Sequence, residues 1–241
     1  TAIFAEKENR AYLLQKDIKR AFVKVGLGAE KKSRVVSEKE KRITAYHEAG
    51  HAILFHVLPH VGPVYSVSII PTGMAGGYTM HLPGEDTMFM TKKKMEMEIV
   101  SLLGGRVAEE LFLGDISTGA SNDIERATAL ARNMVTQYGM SEKFGLMSTA
   151  SVQHQYLEGQ AYMDCSQETA AEVDREVMKI LENAYNSTKQ LLADNRALLD
   201  EISEFLLVKE TITGDELMAF VNAAKNPAPE LPETTEEPTE E

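Results

Sequence analysis

Apolar and polar residues alternate with helical spacing along most of this 241-residue chain. At its start, Ala2, Ile3, Phe4, Tyr12, Leu13, Leu14, Ile18, Ala21 and Phe22 read as two short helices joined around Asn9-Arg10. A mostly polar stretch over 26–34, with Gly26, Gly28 and a basic cluster, is the predicted linker. Ser37-Glu38-Lys39-Glu40 then forms a capping-box pattern, with Ser37 as N-cap and Glu40 three residues on. The helix it opens should run until just before Pro59, about 20 residues and ~30 Å. Residues 64–70 largely alternate with period two, and Gly77-Tyr78-Thr79-Met80 follows a turn region containing Pro71, Gly73 and Gly76, so two strands are expected there. Further helices are predicted over 92–113, 122–138, 167–193, 196–207 and 214–224. The last segment, 227–241, is dominated by proline and glutamate with no basic residue and reads as a disordered acidic tail. No internal repeat is present. The predicted class is mainly α with a small β-sheet (α+β), built around one long helix.

Composition narrows the function classes. A hydrophobic content of 43% and a charged content of 26% suit a globular domain with a sizeable core. Lys and Arg number 25 against 37 Asp and Glu, a net charge of −12 that repels phosphate backbones and argues against nucleic acid as a partner. The one basic run, Lys92-Lys93-Lys94, reads as a solvated helix start. Cys165 is the sole cysteine, which excludes an intrachain disulfide. The most apolar stretch, 52–70, is interrupted by His56, Pro59, His60 and Pro63 and falls short of the ~20 apolar residues of a membrane span. The start lacks the pattern of a signal peptide, and Thr1 in place of Met reads as the beginning of an excised piece of a longer protein.

The candidate chemistry lies inside the long helix, where His47-Glu48-Ala49-Gly50-His51 forms an H-E-x-x-H motif. Four helical residues rotate ~400°, which stacks His47 and His51 one turn apart on one face. Two imidazole nitrogens so placed suit one Zn²⁺. Glu48 follows the first histidine directly, where its carboxylate can take a proton from an activated water and pass it to a leaving amine. Gly50 costs ~1 kcal/mol of helix stability relative to Ala and leaves room for another backbone or side chain. His56 lies nine residues from His47, on the opposite face, and Leu54 and Val57 occupy the Gly and His positions of the extended H-E-x-x-H-x-x-G-x-x-H pattern. His56 and His60 are therefore read as packing or surface residues.

A catalytic zinc needs a third protein ligand. Downstream candidates are Glu109, Glu110, Asp115 and Asp123. The apolar stripe Met95, Ile99, Leu102, Leu103, Val107 and Leu111 predicts Glu110 facing inward and Glu109 outward. Asp123 lies in Ser117-Thr118-Gly119-Ala120-Ser121-Asn122-Asp123, a turn of mostly small residues entering a new helix, where its alternative role is to complement the helix dipole. Residue patterning alone leaves Asp123 and Glu110 level.

Three blocks occurring in order bear on this: 44–52 around the motif, Leu103-Gly104-Gly105-Arg106-Val107-Ala108-Glu109-Glu110, and 117–128 around Asp123. With Tyr138-Gly139-Met140-Ser141 they resemble the peptidase domain of FtsH-type AAA zinc metalloproteases, over about 30–224. The resemblance implies His47, His51 and Asp123 as the ligands of one Zn²⁺ per chain, and Glu48 as the catalytic glutamate. It divides the chain into 1–29, the end of the helical part of an ATPase module plus linker; 30–226, the peptidase domain; and 227–241, the tail.

The resemblance further implies unfolded polypeptide or membrane-protein substrates, a homo-hexamer, and membrane anchoring through segments absent from this chain. The peptidase would then face the cytoplasm of a bacterium or an equivalent organelle compartment, and this fragment by itself is expected to be soluble. No G-x-x-x-x-G-K-[ST] loop occurs in the sequence, so ATP would be used only by the missing module. The strand near Gly76-Gly77-Tyr78-Thr79-Met80 is a candidate edge for pairing with an extended substrate. The competing expectation is a non-catalytic, ring-forming assembly module with a structural zinc site, against which an intact Glu48 counts.

Overall fold

The computed structural model describes residues 1–28, 36–59, 63–73, 75–81, 88–152 and 161–225. His60, most of the predicted linker and the acidic tail lie outside the described residues. Two helices open the chain, α1 (Ala2–Lys7) and α2 (Gln15–Leu27), and between them Asn9 takes a left-handed turn at φ 51°. Gly26, expected in the linker, belongs to α2.

Helix α3 (Glu38–Val57) is bounded as its sequence dictates. Ser37 Oγ accepts from the Glu40 amide at 3.2 Å, and Glu40 returns a carboxylate to the Ser37 amide at 3.3 Å. Its far end stops at Leu58, before Pro59, because a residue preceding proline is driven out of helical geometry. Ten consecutive residues, Ala45 to Leu54, are buried, so α3 runs through the core with neighbours on every side. Ala45, Ala49, Gly50 and Ala52 make this feasible by letting those neighbours approach closely.

Strands β1 (Val64–Ser68) and β2 (Tyr78–His81) pair antiparallel as expected. The sequence pattern did not show a third strand, β5 (Thr211–Thr213), which completes a sheet of order β2-β1-β5. Val67 and Ile212, cross-strand partners at the centre, are fully buried. The short pair β3 (Ala150–Val152) and β4 (Ala161–Met163) was likewise not expected.

The helix predicted over 92–113 is three segments. Helix α4 (Lys92–Leu102) is capped by Thr91, whose Oγ1 accepts from the Lys94 amide, so the lysine run is a helix start. Helix α5 (Gly104–Ala108) follows, then a π-helical turn over Glu109–Leu113. A 3₁₀ turn (Thr118–Ala120) leads into α6 (Ser121–Thr136). The 28-residue α7 (Gln167–Asp194), α8 (Arg196–Lys209) and α9 (Gly214–Lys225) close the fold. Ile53 and Leu54 of α3, Ile99, Met134, Leu192, Leu199, Ile202 and Leu206 form its buried centre. No helix among the described residues is long and apolar enough to cross a membrane.

Candidate metal centre

Helical rise places His47 and His51 one turn apart on α3, and both side chains are buried. Their ring centroids are 4.8 Å apart and their Nε2 atoms 3.1 Å apart. Asp123 enters from the first turn of α6, with Oδ2 3.5 Å from each Nε2. These three residues are the group among the described residues whose donor atoms could share a metal ion.

The other face of each imidazole decides what its Nε2 can do. His51 Nδ1 lies 2.9 Å from the Ser101 carbonyl, which can only accept, so Nδ1 carries a proton. His47 Nδ1 lies 2.7 Å from Glu109 Oε1, and donation to a carboxylate assigns its proton in the same way. In the neutral rings both Nε2 lone pairs then point at one spot beside a carboxylate oxygen. That arrangement is repulsive unless a cation occupies the spot. Tetrahedral donors at ~2.0–2.1 Å from a zinc ion stand about 3.3 Å apart, between the 3.1 and 3.5 Å observed. The residues present therefore fit Zn²⁺.

The same surroundings favour a proton on His47 whenever no cation competes for the spot. Burial would lower the His47 pKa, but hydrogen bonds to Asp123 and Glu109 and the nearby Glu48 charge outweigh it and push it up to about 10. For Asp123, burial alone would raise the carboxyl; the two imidazoles overcome this and hold it far below the usual carboxylate range.

Glu109 corrects the sequence reading. It was expected to face outward; instead it is 1% exposed, accepting from His47 Nδ1 through Oε1 and from the Ser117 amide through Oε2 at 2.6 Å. Burial opposes ionisation, yet these two donors bring its pKa below the ordinary value. Glu110, expected to face inward as a ligand candidate, is half-buried away from the centre. It accepts from Tyr185 Oη at 2.6 Å and from Arg106 at 3.2 Å. The cause is the break at Leu103 and the π turn at Glu109, which shift the angular phase that a continuous 3.6-residue period assumes. Gly104-Gly105 was the available signal. An added Cβ at Gly105 would lie 2.4 Å from His47 Nε2, and one at Gly50 would lie 2.7 Å from the Gly104 carbonyl oxygen. The room that Gly50 leaves is thus taken up by α5.

Glu48, the residue after His47 on α3, stands between the metal group and the sheet. It is buried, and Thr79 of β2 donates its hydroxyl to Oε2 at 2.7 Å. Burial raises its carboxyl pKa, partly offset by His47, His51 and the Thr79 hydrogen bond. Sequence reasoning carried no signal for Thr79 in this position. Asp115 lies outside the metal group, lining a cavity of about 270 Å³ with Lys39, Arg42 and Ile43. His56 lines a separate apolar cavity beside Leu217 and Met218.

The model of Peptidase family M41 matches residues 34–220. The chain is 48% identical over 223 residues to an ATP-dependent zinc metalloprotease FtsH from Caldicellulosiruptor bescii, covering 91% of this chain and 36% of that protein. Proteins of the same name from Clostridium perfringens and Thermotoga maritima are each 46% identical, over 91% and 92% of this chain and 31% and 37% of their own lengths. The chain thus spans about a third of the length of these curated relatives. With the family model matching most of its length, around a buried H-E-x-x-H helix and a converging aspartate, the chain belongs to peptidase family M41.

Proposed function

We propose that this chain carries a zinc-dependent endopeptidase domain in which His47, His51 and Asp123 hold Zn²⁺ and Glu48 is the general base. The observation that carries the reading is the convergence of two Nε2 lone pairs and Asp123 Oδ2 at 3.1–3.5 Å, with both Nδ1 protons engaged elsewhere. When bound, the zinc supplies Lewis-acid polarisation and lowers the pKa of water. The chain's own residues do the rest. Glu109 and the Ser101 carbonyl fix the two rings, and an outer partner of this kind also raises the basicity of the ligand nitrogen. Glu48 accepts the proton of the attacking water on its carboxylate and returns it to the leaving amine. Burial favours a carboxyl that can hold that proton between the two steps.

Beta strand β2 lies at the edge of the described sheet and carries Thr79 against Glu48, which supports pairing of an extended substrate along that edge. Such a site suits unfolded or membrane-extracted polypeptide. The relatives' name states ATP dependence; the division that the sequence resemblance implies assigns 1–29 to the end of an ATPase module plus linker, 30–226 to the peptidase and 227–241 to the tail. On this reading the full-length protein is a homo-hexamer, anchored in a membrane through segments outside this chain, with the peptidase on the cytoplasmic or an equivalent organellar side. A structural zinc in an inert ring-forming module would leave a buried, hydrogen-bonded Glu48 beside the metal group without a purpose. Metal analysis with a peptide-cleavage assay tests the proposal. One zinc per chain and cleavage abolished in Glu48→Gln are expected; near wild-type cleavage by that variant would remove Glu48 from its role.

A further inference from the structure

We infer that Thr79 is a positioning residue for the catalytic glutamate, so that the sheet edge and the general base form one mechanical unit. The inference rests on the peptidase reading above. Three observations carry it. The Thr79 hydroxyl donates to Glu48 Oε2 at 2.7 Å, and the Glu48 backbone carbonyl lies 3.0 Å from the same hydroxyl. Opposite Thr79, Val67 of β1 is fully buried, so register turns this pair of side chains inward. Just before the strand, Gly77 presses its bare backbone against the same carboxylate. A Cβ there would stand 2.9 Å from Glu48 Oε1 and 2.7 Å from both the Ser68 carbonyl oxygen and Thr44 Cγ2. The strand thus fixes Oε2 through Thr79, and the glycine leading into it leaves the space that Oε1 occupies.

The chemistry explains why a hydroxyl stands here. Glutamate has several rotamers, and a base must keep its free oxygen aimed at the water it deprotonates. A β-branched threonine on a strand has a stiff χ1, so its Oγ1 is a fixed donor. The hydroxyl carries one proton with two acceptors in reach. It donates to the carboxylate and holds that oxygen in place. Valine preserves the shape but has no proton to donate.

The test compares the zinc-loaded chain with Thr79→Val, Thr79→Ser, Glu48→Gln and the Thr79→Val/Glu48→Gln pair on a fluorogenic peptide, with zinc content and melting temperature measured for each. Thr79→Val is expected to lower kcat about 10- to 100-fold while KM moves less than about threefold and zinc stays at one per chain. Thr79→Ser should recover most of that loss. Melting temperatures of the two single variants and the pair should be non-additive, a readout of the contact that does not depend on turnover. Wild-type kcat in Thr79→Val, or additive melting temperatures, would overturn the inference while an inactive Glu48→Gln left the peptidase reading standing. A Thr79→Val chain that loses zinc or fails to fold would assign the hydroxyl to the scaffold and also overturn it. Full activity in Glu48→Gln would remove the base itself, and both readings with it.

Discussion

Replacing Gly105 by alanine should cost this protein its metal while leaving most of its fold. In an ordinary helix the change is favourable, because alanine is preferred over glycine by ~1 kcal/mol. Here the added methyl would sit 2.4 Å from His47 Cε1 and Nε2 and 2.5 Å from Cδ2. Carbon atoms at van der Waals contact stand ~3.5–4.0 Å apart, so ring and helix must separate by about 1 Å or more. The ring has nowhere to go without loss, since Nδ1 is tied to the buried Glu109 and Nε2 to the metal group. Metal–ligand distances tolerate only about ±0.2 Å, so a shift of that size takes His47 out of coordination. Overpacking costs ~1–3 kcal/mol, which exceeds the helix-propensity gain. Zinc affinity, measured by competition with a chromogenic chelator, should fall by more than the ~10- to 100-fold typical of an outer partner's loss. Circular dichroism should show near-native helix content with a lower melting temperature. Wild-type zinc affinity together with an equal or higher melting temperature would refute the close approach of α5 to His47.

The remaining predictions concern ligand identity, protons and substrate. Asp123→Ala should sharply reduce zinc occupancy in a metal titration, whereas Glu110→Ala, whose partners are Tyr185 and Arg106, should change it little; the reverse ranking would overturn the assignment. Because the metal-free His47 is raised to about 10 and must lose its proton to bind, zinc affinity should rise up to about tenfold per pH unit across the neutral and mildly alkaline range, with proton release visible by calorimetry in several buffers. The raised His47 pKa stabilises the metal-free fold fully below the ordinary value of 6.5, and that contribution is lost as pH climbs through about 10. Asp123, held low, contributes above the ordinary 3.8 and loses its contribution only as pH falls through its depressed value, so metal-free melting temperatures should decline at both extremes. Finally, the zinc-loaded chain should cleave short or unstructured peptides and spare a folded protein stable by ~5–15 kcal/mol, with no response to ATP; ATP-stimulated cleavage would contradict the absence of a phosphate loop.

Local patterning in the sequence determined the elements whose signals are local. The Ser37–Glu40 box and Pro59 set both ends of α3, and the four-residue spacing of His47 and His51 put two imidazoles on one face whatever surrounds them. The resemblance to a known family then separated Asp123 from Glu110, which residue spacing alone could not do. Strand β5 stayed hidden because three residues, Thr211–Thr213, carry too short a pattern to register and become a strand only by pairing with β1. Glu109 was misplaced for a different reason. Helical periodicity accumulates phase from residue to residue, so one break at Leu103 and one π turn were enough to exchange the orientations of Glu109 and Glu110, while Val107 stayed in the core. Thr79 carries no local mark at all. Its contact with Glu48 spans 31 residues and exists because β1 positions β2 alongside α3, a decision made by burial of Val67 and by the space that Gly77 leaves. The two metal-binding histidines are thus a property of one helix, whereas the groups that orient them and the base are supplied by elements that meet only in the folded chain.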